Sequence, residues 1–258
     1  MELPASQTMR RIKLIVEYDG SGFSGLQTQK KGERTVQADL EAALSKIPGA
    51  HPKVVPAGRT DAGVHALAMP FHYDTRDSVP TERIPAALNT LLDPDLRVLE
   101  AQEVASSFHA RNSCCWRHYR YRILKRKTPS ALDRHRVWWV PQDLNVTAMK
   151  SALTGLVGVH DFKVFAVREK RSTVREIFQA LLLSKKDELW LEFVGSGFLR
   201  GQVRSMVGTL VKVGLDKRDP DSIGELLKSG TRQHAGPTAP PHGLYFVQAG
   251  YTPWRDRV

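Results

Sequence analysis

Cysteine is almost missing: the two in this 258-residue chain, Cys114 and Cys115, are neighbours. A disulfide between adjacent residues is strained, so a disulfide scaffold is excluded and free thiols in a reducing compartment are expected. There is no CxxC pair, and the 9 histidines lack the i, i+4 or HxH spacing of a zinc site. No metal is expected. Long apolar runs are absent as well: "VWWV" and "ALLL" fall far short of the roughly 20 residues a bilayer demands. Residues 1–10, "MELPASQTMR", contain neither the apolar core nor the cleavage site of a secretory signal. The expectation is a cytoplasmic protein with no membrane association. Acidic residues are the minority, 27 against 38 Lys+Arg, for a formal net charge of +11. The remaining composition is ordinary, 41% hydrophobic and 25% charged, with enough apolar mass for a core in one large domain or two smaller ones.

The basic excess favours a polyanionic partner, through field effects and counterion release. It is also concentrated. Residues 117–136, "RHYRYRILKRKTPSALDRHR", hold eight Lys/Arg and one Asp, a local +7. A solvated, solubilising face carries such a run equally well. The interleaving of Tyr119 and Tyr121 favours RNA, because rings stack on bases while guanidinium groups hold phosphates.

Hydrophobic spacing predicts strands over 10–20, 52–58, 66–75 and 96–104 and helices over 35–47 and 81–92, with Thr35 as an N-cap. That order, β-α-β-β-α-β, is the ferredoxin-like (RRM-like) unit. The second half repeats the theme less cleanly. Strands are expected over 118–124 and 242–251, a strand pair over 175–195, and helices over 145–158 and 198–214. The predicted fold class is α+β: two ferredoxin-like halves, 1–107 and 108–258, with mainly antiparallel sheets able to join and an active-site cleft between them. The boundary falls near residues 105–112. "GPTAPPHG" (236–243) reads as a Pro-rich loop before the last strand.

"AGRTDAGVHA" (57–66) sets one carboxylate, Asp61, two residues from Arg59 among glycines. Glycine permits a sharp turn or the close approach of a substrate. A nearby arginine favours the ionised carboxylate, which in a cleft acts as nucleophile or base. An Asx turn with a surface ion pair accounts for the same residues, and residue chemistry alone leaves both readings open.

"GRTDAGVHA", with "EYDG" (17–20), "FHAR" (108–111), "YRY" (119–121), "VRSMVG" (203–208) and "GPTAPPHGLY" (236–245), resembles the tRNA pseudouridine synthase A family, in the family's order over nearly the whole chain. The resemblance implies an isomerase that converts uridine to pseudouridine in the anticodon stem-loop of tRNA, at positions 38, 39 and 40. It implies base flipping, no cofactor, no metal and a homodimer. It assigns Asp61 as the catalytic aspartate, attacking the sugar C1′ or the uracil C6 or deprotonating C2′. Arg59 is implied to pair with Asp61 and to fill space near the displaced base. Tyr119 is implied to pack on the target uracil, and Arg204 to reach the catalytic carboxylate. Tyr121 is left to the core. His65 and His109 fall in matching motifs and are expected to fix loops rather than to catalyse. The presence of Asp61 argues against an RNA-binding protein that has lost its chemistry. A nucleoside hydrolase would differ by releasing free uracil. Two departures from the family pattern stand out: Leu26 where Trp is usual, and Arg200-Gly201 where larger ring or imidazole groups are common.

Overall fold

The computed structural model describes residues 9–29, 32–167 and 172–257. The reading of residues 1–8 as free of a secretory signal lies outside them. Among the described residues the chain is mixed α+β, with five α-helices and mostly antiparallel strand pairing, and no helix is long and apolar enough to cross a membrane. It divides into two compact units, Met1–Cys114 with Phe246–Tyr251, and Cys115–Tyr245 with Thr252–Val258.

The first unit contains β1 (Arg10–Tyr18), α1 (Val36–Leu44), β2 (Val55–Pro56), β3 (His65–Thr75), α2 (Ile84–Asn89) and β4 (Leu96–Val104). Its strands run in the order β4-β1-β3-β2, every neighbouring pair antiparallel. The register sets Ile12, Leu14 and Val16 opposite Tyr73, Phe71 and Met69, so all six share one face, and all are buried. Alternating apolar residues produce this outcome because successive strand side chains point to opposite faces. Thr35 caps α1 by accepting from the Ala38 N–H at 3.3 Å. α2 is shorter than its apolar period suggests: a 3-10 turn occupies Thr81–Arg83, and Pro85 sits in the first α-turn, where its missing N–H costs nothing.

The opposite face of β1 and β3 holds the chain that leaves β4. Arg11 donates to both carboxylate oxygens of Asp74, at 2.7 and 2.9 Å, and to the Ser106 and Phe108 carbonyls. Beside it, His72 Nδ1 accepts from the Ala110 N–H at 3.1 Å, 5% exposed. Burial, reinforced by the positive charge of Arg11 and by the neighbouring His109 ring, lowers the His72 pKa from 6.5 to about 4, against an opposing pull from Asp74. Unfolding therefore takes up a proton between these values. Stability is complete above pH ~6.5 and is lost as pH falls toward ~4. Going from pH 7 to pH 5 is expected to cost about 2 kcal/mol from this residue. Urea unfolding at the two pH values measures it. His72→Asn, whose amide oxygen replaces Nδ1 as acceptor, should remove most of that difference; an unchanged difference would assign it to other groups.

The second unit contains β5 (Trp116–Leu124), β6 (Trp138–Trp139), α3 (Val146–Thr154), β7 (Gly158–Asp161), β8 (Val174–Lys185), β9 (Glu188–Gly195), α4 (Gln202–Gly214) and α5 (Ser222–Ser229). The last strand, β10 (Leu244–Gly250), begins in this unit and passes into the first at Phe246. The antiparallel order is β5-β9-β8-β7, and β6 pairs parallel with β5. The sequence reading places the strand pair of 175–195 and the helix of 145–158 where they lie, with Asn145 capping α3. It starts α4 four residues early: Gly201 stands at the N-cap with φ 72°, a left-handed conformation that ends the preceding turn and cannot continue into a helix. β7 and α5 are not anticipated. β7 has only four residues; α5 carries its signal in Ile223, Leu226 and Leu227, at i, i+3 and i+4 and all buried.

Candidate active site

Residues 57–64 connect β2 to β3, and Asp61 stands at the turn between these strands. Backbone contacts hold the turn: the Ala57 N–H donates to the Pro70 carbonyl at 2.8 Å and the Val64 N–H to the Asp61 carbonyl at 3.2 Å. Thr60, one residue before Asp61, is fixed from two sides. Its carbonyl accepts from the Leu26 N–H at 3.2 Å, and its hydroxyl lies 2.8 Å from the Tyr18 hydroxyl. Beneath them, a Cβ on Gly20 would stand 2.1 Å from the Val64 carbonyl oxygen, so only glycine lets the two chains meet there. Buried His65 closes the arrangement by accepting from the Gly20 N–H at 3.0 Å, its Nδ1 3.1 Å from an Asp19 oxygen. The "EYDG" and "GRTDAGVH" motifs are therefore one interlocked structure. The half-exposed Asp61 carboxylate stands on this framework, and none of the bonds just named uses it.

Arg59 is exposed, and among the described residues it forms no ion pair with Asp61. The expected pair is not formed in this structure. A long exposed side chain gains too little from such a contact to offset the entropy of holding it. His109 behaves like His65: its Nδ1 accepts from the Arg111 and Asn112 N–H groups, both at 3.2 Å, and so caps the turn after Phe108.

The second unit carries Tyr119, Tyr121 and Arg204. Tyr119 and Tyr121 point to the same face of β5, but their surroundings differ. Tyr121 is fully buried, donates to the Pro240 carbonyl at 2.8 Å and packs against the backbone of Gly243; burial raises its pKa well above the ordinary value. It is a core residue, as expected. Tyr119 is 7% exposed, with its ring edge-on to the half-buried Phe198 at 5.1 Å. Arg204 projects from the first turn of α4. Its Nε donates to the Ala239 carbonyl at 2.8 Å, while the Ala239 N–H returns a bond to the Arg204 carbonyl at 3.1 Å. The loop 236–243 is thus tied to α4 at Arg204 and to β5 at Tyr121. The Gly236 N–H also bonds the Thr209 hydroxyl at 2.8 Å.

The basic tract splits in two. On β5, Arg120 lies opposite Glu192 of β9 and bonds it at 2.6 Å; His118 takes the other oxygen at 2.6 Å. Arg122 grips Glu188 with two bonds, at 2.9 and 2.7 Å. Burial pushes the Glu192 carboxyl up, but the bonds from His118 and Arg120 outweigh it and hold the group below the usual carboxylate range. Both of these strand arginines therefore have an acid partner within the fold. The loop that follows differs: Lys125, Arg126, Lys127 and Arg134 are exposed.

A family model described as tRNA pseudouridine synthase matches residues 14–112 and 152–252. The chain belongs to the tRNA pseudouridine synthase family. It is 56% identical over 247 residues to the tRNA pseudouridine synthase A of Thermus thermophilus, a match that covers 94% of this chain and 97% of that one. The proteins of the same name in Anoxybacillus flavithermus and an Exiguobacterium species are 46% and 44% identical, over 94% of this chain and 99% and 98% of theirs. The synthase is an isomerase that forms pseudouridine in tRNA.

Both departures from the family pattern have a structural setting. Leu26 is fully buried and supplies the N–H that anchors Thr60, so this residue of the synthase acts through its backbone as well as its packing. Gly201 supplies the left-handed N-cap of α4, and a Cβ there would come within 3.0 Å of Val167. Sequence reasoning missed Tyr18, Thr60 and Phe198. Tyr18 and Thr60 sit inside motifs already singled out, and their direct hydrogen bond links positions 42 apart in sequence. Phe198 adjoins the α4 motif, but no local pattern marks it as a neighbour of Tyr119.

Proposed function

We propose that the synthase isomerises uridine at positions 38, 39 and 40 of the tRNA anticodon stem-loop. Asp61 is its catalytic carboxylate, and Arg59, Tyr119 and Arg204 bind the substrate. In this reading the protein is a cytoplasmic homodimer that needs neither metal nor cofactor, with two ferredoxin-like halves, 1–107 and 108–258. The strand order β4-β1-β3-β2, antiparallel throughout, supports the first half.

One observation carries the reading: a half-exposed carboxylate at the tip of a turn braced by Thr60, Tyr18, Gly20 and His65. A base within a stem has to leave the stack to meet such a group, at a cost of a few kcal/mol. The N1–C1′ bond then breaks, the uracil turns, and a C5–C1′ bond forms while the C5 hydrogen leaves as a proton and N1 takes one up. Asp61 begins this by attacking C1′, attacking C6 or deprotonating C2′; all three steps use an ionised carboxylate. Tyr119, its ring set near-perpendicular to that of Phe198, is the aromatic group that this reading assigns to pack on the uracil.

Tritium release from tRNA labelled at uridine C5 tests the reaction class, since isomerisation expels that hydrogen. Release without free uracil is expected, with the label lost from the anticodon stem-loop. Free uracil would make the protein a hydrolase, and release from another arm of the tRNA would refute the site preference.

A further inference from the structure

We propose that the loop 125–136, and not Arg120 and Arg122 of β5, is the surface of this protein that grips an RNA phosphate backbone. The inference rests on the tRNA substrate. Segment 125–136 contains five Lys/Arg and one Asp, a local +4. Lys125, Arg126, Lys127 and Arg134 are exposed, and among the described residues none has a carboxylate within ion-pair distance. The one acid of the segment, Asp133, lies 3.8 Å from Arg122 and faces the paired system of β5.

The loop is built rather than floppy. The Trp139 indole N–H donates to the Arg126 carbonyl at 2.8 Å, and the Tyr245 hydroxyl donates to the Arg136 carbonyl at 2.7 Å. The Asp133 N–H bonds the Ser130 hydroxyl at 3.0 Å, and the Val137 N–H bonds the Asp133 carbonyl at 3.1 Å. Arg126 and Arg134 cap carbonyls of the loop itself, Thr128 at 2.8 Å and Ala131 at 2.7 Å. Those bonds use only part of each guanidinium's five donors and neutralise none of its charge. Cations held in place lose less entropy on meeting an anion than free side chains do. Leu132, 87% exposed within the loop, adds a large apolar group left in water. Closely spaced, unneutralised guanidinium and ammonium groups match successive phosphates. On β5, Arg120 and Arg122 have spent that capacity on Glu192 and Glu188.

The test compares the intact protein with a K125A/K127A/R134A variant and with a K46A/K53A control, which removes exposed lysines of the first unit. The dissociation constant of unmodified tRNA is measured across a salt series. Each lost phosphate contact lowers the slope of log K against log[salt] by roughly 0.7–0.9. The triple variant is expected to lower the slope by about 2 and to weaken binding ~10–100-fold at low salt, while the control keeps the wild-type slope and affinity. An unchanged slope, or an equal change in the control, overturns the assignment and makes the loop a solubility feature. Loss of binding to phosphatidylserine vesicles with tRNA binding untouched overturns it in favour of a membrane. If wild type releases no tritium from tRNA in the same preparation, the substrate reading itself fails; if it does and only the slope stays fixed, the loop assignment alone fails.

Discussion

Asp61→Asn is expected to bind tRNA within about threefold of wild type and to form pseudouridine ~10⁴-fold more slowly or worse, the scale on which enzymes lose rate when the reacting group is removed. Two features make this variant informative. The turn is held by the Val64 N–H on the Asp61 carbonyl, the Leu26 N–H on the Thr60 carbonyl and the Tyr18–Thr60 hydroxyl pair, none of which involves the carboxylate. The amide also has the carboxylate's size but cannot act as nucleophile or base. Folding and affinity should therefore survive while chemistry does not. Single-turnover tritium release with enzyme in excess, beside a filter-binding measurement, separates the two. A rate within tenfold of wild type would remove Asp61 from the reaction.

Gly208→Ala should be the most damaging single-methyl change in the second unit, lowering stability by about 3 kcal/mol and the melting temperature by about 10 °C. A Cβ at this position would lie 1.7 Å from the Pro237 carbonyl oxygen and 2.9 Å from its carbon, both backbone atoms that no rotamer can move aside. The loop 236–243 would have to lift from α4. That motion breaks the Gly236–Thr209 bond, both bonds between Arg204 and Ala239, and the Tyr121–Pro240 bond. Each is worth about 1 kcal/mol net, which outweighs the gain of about 1 kcal/mol that alanine brings to a helix interior. Because Arg204 is oriented by this loop, activity at a temperature where the variant is still folded should also fall. Gly224→Ala in α5 is the matched control: nothing lies within 4 Å of its Cβ, so the variant should gain about 0.5–1 kcal/mol. Thermal scans of the two variants decide the point. Equal melting temperatures would mean that the α4–loop contact bears no strain.

The strands and helices were readable from the chain wherever apolar spacing is long and regular. β1 alternates Ile12, Leu14 and Val16, α1 repeats Val36, Leu40, Ala43 and Leu44, and both form as expected. Short elements escaped. Four residues of β7 carry too little pattern to register, and α5 has the correct spacing within only eight residues. The start of α4 was misplaced because Leu199 fits the apolar stripe, while the conformation of Gly201 that ends the preceding turn has no signature in hydrophobicity.

By itself the sequence determined which segments pair or coil, that Tyr121 belongs to the interior, and that Asp61 lies in a compact glycine-bounded turn. These follow from periodicity and from residue-level backbone freedom, which are local. Only the tertiary structure decided which positive charges remain for a partner. Arg120 and Arg122 look no different from Lys125 or Arg126 along the chain. Their acids, Glu192 and Glu188, lie 72 and 66 residues away and come into reach only because β9 pairs with β5. The same holds for the brace under Asp61, where Tyr18 and Thr60 meet across 42 residues. Charge neutralisation and hydrogen bonding act over a few ångströms, and which residues come that close is a property of strand register that no window of sequence contains.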